Sequence, residues 1–154
     1  GAAGYFIDQR LPLPFLMAQT PLVSRFMRHL TPKSLVERFV KDVFGDKEKV
    51  TQEIVDRYFD LFTYGGNREA FVALANTKYK IHIHKIKKIK SQTLILWGSA
   101  DIWISVRSAH AFNFNLSRSE LIIYDGVGHI PMEEIPDRSA KDVQVFLLSG
   151  KGAK

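Results

Sequence analysis

From Pro14 to Leu30 apolar residues recur at helical spacing, and Thr20-Pro21 is placed to open a second helix within that stretch. Thr31-Pro32 is a stronger start signal: a hydroxyl for the N-cap, then proline at the first helical position, where its missing N–H costs nothing. Leu35, Val36, Phe39, Val40 and Val43 then share one face, and Gly45 suits the stop. Thr51 is placed to cap the next helix, with Ile54, Val55, Tyr58, Leu61 and Phe62 inward. Gly65-Gly66-Asn67 breaks the chain before a helix through Phe71, Val72 and Leu74. The pattern predicts a loop over residues 1–13 and helical hairpins without a strand over 14–76.

After residue 90 the pattern changes. Thr93-Leu94-Ile95-Leu96-Trp97 is a short, wholly apolar run ending at Gly98, as expected of a strand buried on both faces of a parallel sheet. Val106 to Leu116 reads as a helix, and Leu121-Ile122-Ile123-Tyr124 as a second strand that ends in the turn pair Asp125-Gly126. A helix follows from about Asp137 to Leu148, with Ala140, Val143, Phe146 and Leu147 on one side, and Gly150 to Lys154 is expected to fray. Strand, helix, strand, helix is a parallel α/β unit.

Composition narrows the classes. The 154 residues are 45% apolar and 25% charged, with no apolar run of membrane-spanning length. No basic stretch followed by an apolar one opens the chain, so no signal peptide is expected and a cytoplasmic location is favoured, though residue 1 is not Met. The absence of cysteine removes disulfides, a thiol nucleophile and thiolate metal sites. The net charge of +6 comes from one place: Lys78, Lys80, Lys85, Lys87, Lys88 and Lys90, with 16 basic and 16 acidic residues elsewhere. Isoleucines 81, 83, 86 and 89 interleave with those lysines. The segment therefore reads as an amphipathic connector with solvated lysines rather than a nucleic-acid or membrane surface. His82 and His84 alternate as on one strand face, but two imidazoles without a nearby carboxylate make a poor metal site.

The candidate chemistry lies on two loops. Functional groups of open α/β sheets gather at the carboxyl ends of the strands. Asp101 follows the first strand after Gly98-Ser99-Ala100, and His129 follows the second after Gly126-Val127-Gly128. A carboxylate accepting from one imidazole nitrogen fixes the tautomer and leaves the other to take a proton from a nucleophile. Asp125 competes for the role of acid, although Asp-Gly is a common turn pair. Trp103 and Ile104 leave the acid's loop and Ile130 the base's, so these three are expected to wall a substrate pocket.

TLILWGSADIWISV resembles the acid-bearing strand and loop of the α/β-hydrolase family, an apolar strand followed by W-G-x-x-D. LIIYDGVGHIPMEEIPDRSAKDVQVFLL resembles its last strand, histidine loop and terminal helix. By that resemblance Asp101 matches the acid and His129 the base, in the family's order of nucleophile, acid, histidine. The opening AAGY resembles the lead into the cap, and residues 14–76 resemble the inserted helical cap. Ser105 stands where proline is usual. The larger departure is that no G-x-S-x-G-type turn and no His-Gly oxyanion segment occurs; Ser99 and Ser105 read as loop or N-cap residues.

The resemblance implies an α/β fold class, specifically the C-terminal part of an α/β-hydrolase fold with a helical cap and parallel strands flanked by helices. Residues 1–90 would form the cap and connector, and 91–154 the core part. The implied activity is serine-type hydrolysis of a small, fairly apolar ester-like substrate. Asp101 and His129 would be present, the nucleophile supplied from elsewhere, and no metal or organic cofactor required. The family also holds C–C bond hydrolases, epoxide hydrolases and dehalogenases, the last two with an aspartate nucleophile, so nucleophile and bond stay open. A non-catalytic fragment or binding module is the alternative. Expected partners are a small molecule and a missing N-terminal segment or second chain completing the sheet, with a homo-oligomer possible; neither nucleic acid nor a membrane is expected.

Overall fold

The computed structural model describes residues 11–78 and 83–149. The expectations for residues 1–10 (the AAGY opening included), for His82 and for the frayed tail lie outside the described residues. The chain divides into two compact units: among the described residues, one comprises 43–46 and 83–149, the other 11–42 and 47–78.

The second unit is helical: α1 (Leu13–Gln19), α2 (Pro21–Met27), α3 (Lys33–Val43, its last residue counted with the other unit), α4 (Gln52–Thr63) and α5 (Asn67–Ala75). Thr51 caps α4 as predicted, its hydroxyl accepting from the Ile54 amide at 3.3 Å. Thr20 stands at the N-cap of α2, which opens at Pro21 as predicted, but its hydroxyl makes no capping bond there. Thr20 Oγ1 donates to the Leu16 carbonyl and Thr31 Oγ1 to the Met27 carbonyl, each at 3.2 Å, so these hydroxyls serve carbonyls at the end of the preceding helix. Ala18, Met27, Val72 and Ala75 form the core, with Phe15 edge-on to Phe71 at 5.2 Å and Phe62 to Phe71 at 5.4 Å. Leu61, predicted inward, and Leu74 are about half exposed, because α4 meets α5 through Phe62 and Phe71 instead. Amide side chains tie α1 to the end of α5: Gln19 Nε2 donates to Ala75 O at 2.9 Å and Asn76 Nδ2 to Ala18 O at 3.0 Å.

The first unit holds α6 (Ile83–Ile86), β1 (Thr93–Gly98), α7 (Val106–Asn115), β2 (Ser119–Tyr124), α8 (Pro131–Glu134) and α9 (Pro136–Leu148). β1 and β2 pair in parallel, in register from Thr93 opposite Ser119 to Gly98 opposite Tyr124. The second strand begins two residues before its apolar run. Ser105 caps α7, accepting from the Arg107 amide at 3.3 Å. Ile95, Trp97, Ile104, Ala109 and Leu116 make the core. Trp97 is 1% exposed, and its indole N–H donates to Ile104 O at 3.1 Å, which removes the cost of burying that polar group. Burying each such side chain contributes roughly 1.5–3 kcal/mol.

The strands were expected to be buried on both faces. In fact β1 is only partly buried, and β2 is half-buried except at Tyr124. Two strands are all the described sheet contains, too few to be covered as a full parallel sheet is. Val143 and Leu147, placed on the apolar side of α9, are exposed. The lysine segment behaves as read where it is described: Ile86 packs on the core while Lys85, Lys87, Lys88 and Lys90 are exposed. Ile89 is the exception, exposed rather than inward. Among the described residues no helix is long and apolar enough to cross a membrane, and no group of three or more His, Asp or Glu could hold a metal ion.

Candidate active site

Because β1 and β2 are parallel, their carboxyl ends share one edge of the sheet, and the loops bearing Asp101 and His129 leave side by side. The pairing continues past the strands: the Ser99 amide donates to Tyr124 O and the Ala100 amide to Val127 O, both at 2.9 Å. Gly98 permits this closeness, since a Cβ there would overlap the carbonyl oxygens of Val127 and Gly128. Ser99 Oγ donates to Asp125 Oδ1 at 3.0 Å and accepts from the Gly126 amide at 2.9 Å. Asp125 is thus engaged in a loop latch, next to Gly126 at φ 71°, as its turn reading expected.

Asp101 uses both carboxylate oxygens. Oδ1 accepts from the amides of Trp103 and Ile104, each at 2.9 Å, which fixes the side chain on its own loop. Oδ2 lies 2.8 Å from Nδ1 of His129. The Asp101 side chain is fully buried and that of His129 is 18% exposed. Burial pushes the Asp101 carboxyl up, but the bonds from His129 and the Ile104 amide and the field of the imidazole outweigh it and hold the group below the usual carboxylate value. An ionised Asp101 keeps the proton of His129 on Nδ1, which makes Nε2 the basic nitrogen.

The structure therefore brings together the two residues singled out as acid and base. It treats the three expected pocket residues differently. The Trp103 ring lies beside the imidazole, centroids 5.3 Å apart. Ile130 is half-buried directly after His129, at the start of α8. Ile104 is 7% exposed and belongs to the core, and its amide holds Asp101. The neighbouring Ile102 and Met132 are each 63% exposed. Ser99 and Ser105 sit in the latch and at the α7 cap, neither on a sharp strand-to-helix elbow.

Sequence reasoning missed Glu134 and the segment 43–46. The Glu134 carboxylate is buried and accepts from the amides of Gly45, Asp46 and Gly128. The one signal in the sequence was a pair of prolines, Pro131 and Pro136, bracketing a turn too short to be read by periodicity.

Solved structures share this fold. A meta-cleavage product hydrolase from Pseudomonas fluorescens superposes on 96% of this chain with a TM-score of 0.74 and 18% identity, over 53% of its own length. The chain has the α/β-hydrolase fold. A membrane phospholipase A described as a bacterial virulence factor matches 98% of this chain with a TM-score of 0.71 and 24% identity, over 48% of its own length. In sequence, the monoacylglycerol lipase ABHD6 of Mus musculus is 30% identical over 104 residues, 66% of this chain. The chain spans about a third of that relative, 31%, and about half of the solved structures. No family model matches the sequence.

Proposed function

We propose that this chain supplies the acid and the base of a serine-type α/β-hydrolase whose nucleophile lies outside this sequence. The observation that carries the reading is the 2.8 Å contact between buried Asp101 and Nδ1 of His129 at the shared strand edge. In the proposed reaction Nε2 of His129 takes the proton of a serine hydroxyl as it attacks an acyl carbon, then returns it to the leaving alcohol. Water repeats the cycle to release the acid. Asp101 orients the ring and stabilises the imidazolium. The substrate we propose is a small, fairly apolar ester. Trp103 beside the imidazole, the exposed Ile102 on the same loop and the exposed Met132 on α8 support that choice. A lipase and a phospholipase among the similar proteins point the same way.

The sheet has two strands among the described residues, with half-buried apolar faces. We propose that a companion segment carrying the nucleophile, or a second copy, completes it. A fluorophosphonate probe with peptide mapping tests the assignment. The chain by itself is expected to form no covalent adduct; with an N-terminal nucleophile segment restored, labelling is expected there and to be suppressed by His129→Ala. A stoichiometric adduct on any serine of this sequence would overturn the proposal. Size-exclusion chromatography with light scattering tests the completed sheet. A clean monomer over a wide concentration range would count against it.

A further inference from the structure

We infer that Glu134 is a positioning residue for His129, pinning the backbone of the histidine loop to the segment 43–46 through one buried carboxylate. The inference deepens the proposed function, because it concerns how the proposed base is held. Oε2 accepts from the Gly128 amide at 2.8 Å and from the Gly45 amide at 2.9 Å, and Oε1 accepts from the Asp46 amide at 2.9 Å. The residue is 5% exposed. One residue beyond Gly128, the His129 amide donates to Val43 O at 2.7 Å.

The joint consists of backbone on backbone. A Cβ at Gly45 would overlap the Gly126 carbonyl oxygen, and one at Gly128 would overlap that of Val43. No side chain fits between the two segments; the His129 amide finds Val43 O within the joint, while the Gly45, Asp46 and Gly128 amides take an acceptor from outside it. The Glu134 carboxylate meets three of them at once, with charge-assisted bonds stronger than neutral ones. Pro131 opens α8 one residue after Ile130 and turns Glu134 back onto the loop that precedes it. His129 is therefore fixed at two ends: its ring by Asp101, and its backbone by Val43 together with Glu134 through Gly128. A shift of Gly128 moves the Cα of His129, and a ring displaced by about 1 Å loses its bond to Asp101.

The test is NMR on the 154-residue chain and needs neither nucleophile nor substrate, so it can fail independently of the labelling experiment. In the wild type, through-hydrogen-bond couplings are expected from the Gly45 and Gly128 amides to the Glu134 carboxylate carbon. A downfield His129 Nδ1 proton is expected as well. Glu134→Gln keeps the shape but turns an N–H₂ donor toward at least one amide. The Gly45, Asp46 and Gly128 amides should then exchange at least about tenfold faster, a loss of about 1.4 kcal/mol of protection, and the Nδ1 proton signal should vanish. The β1 amides should be unchanged, and Glu133→Gln should match the wild type. Retention of the Nδ1 signal while the three amides accelerate would make Glu134 merely structural and overturn the inference. So would equal acceleration throughout β1. Absence of the couplings in the wild type overturns it even if the variant does not fold.

Discussion

Around His129, backbone packs against backbone: Gly98 on Val127 and Gly128, the His129 amide on Val43, and three amides on Glu134. In the helical unit side chains pack against side chains, with Phe15 and Phe62 on Phe71 and Met27 among alanines and valines. Much apolar surface stays open there, including Leu22 at 84% and Phe26 and Leu30 at 54%. An open groove of about 400 Å³ lies among Met17, Val23, Phe26 and Met27. Directional bonds between backbone groups leave few degrees of freedom and fix atoms to a few tenths of an ångström, as acid–base chemistry requires. Apolar packing tolerates changes of shape. The contrast implies that the two units respond differently to substitutions of similar size.

Adding one methyl group breaks the comparison most severely. Gly128→Ala places a Cβ against the Val43 carbonyl, with no flexible side chain to give way. Urea denaturation should show a loss of roughly 3 kcal/mol, in the range of overpacked sites. Phe71→Leu, a larger change of shape in the helical core, should cost roughly 1.5 kcal/mol or less. Equal losses would erase the distinction between the units.

The next effect concerns acid. The folded-state value of Asp101 is depressed, so the stability it contributes is present above its ordinary value of 3.8 and is lost as pH falls below that, through the folded value. Asp101→Asn should cost roughly 1.5–3 kcal/mol at neutral pH, the worth of hydrogen bonds to a charged group. It should also flatten the acid limb of the stability profile below pH 3.8. An unchanged acid limb would mean that the carboxylate is not held as the structure shows.

The smallest effect belongs on the helical surface. Lys41 Nζ meets Glu37 Oε1 at 2.6 Å one turn apart on α3, both side chains about 40% exposed. Lys41→Ala should change stability by only roughly 0.3–0.5 kcal/mol, and less in high salt. A loss comparable to that of Asp101→Asn would contradict the ranking.

The same contrast explains what was legible in the sequence. Asp101 and His129 could be read because each follows an apolar strand, and parallel strands send both loops from one edge. Helix positions could be read from periodicity, but their coverage could not: Leu61, Leu74, Val143 and Leu147 fit an apolar stripe and yet remain exposed. Periodicity shows which side of a helix is apolar, without showing what lies against it. The core position of Ile104 could not be read from its place beside Asp101, because adjacency on a loop does not fix side-chain direction. Glu134 was missed, and Gly45 was read only as a helix stop, because their contact joins positions 88 or 89 apart in sequence, which no local pattern encodes.

The measurement that bears most directly on the central claim is a double-mutant cycle on turnover of an activated ester. It uses the chain joined to the proposed nucleophile-bearing segment. If Asp101 acts only through His129, then His129→Ala should lower kcat by roughly 10³-fold or more, and adding Asp101→Asn to that variant should lower it little further, because residues that act as a unit are not additive. Multiplying losses in the double variant, or a kcat that survives His129→Ala, would contradict the account.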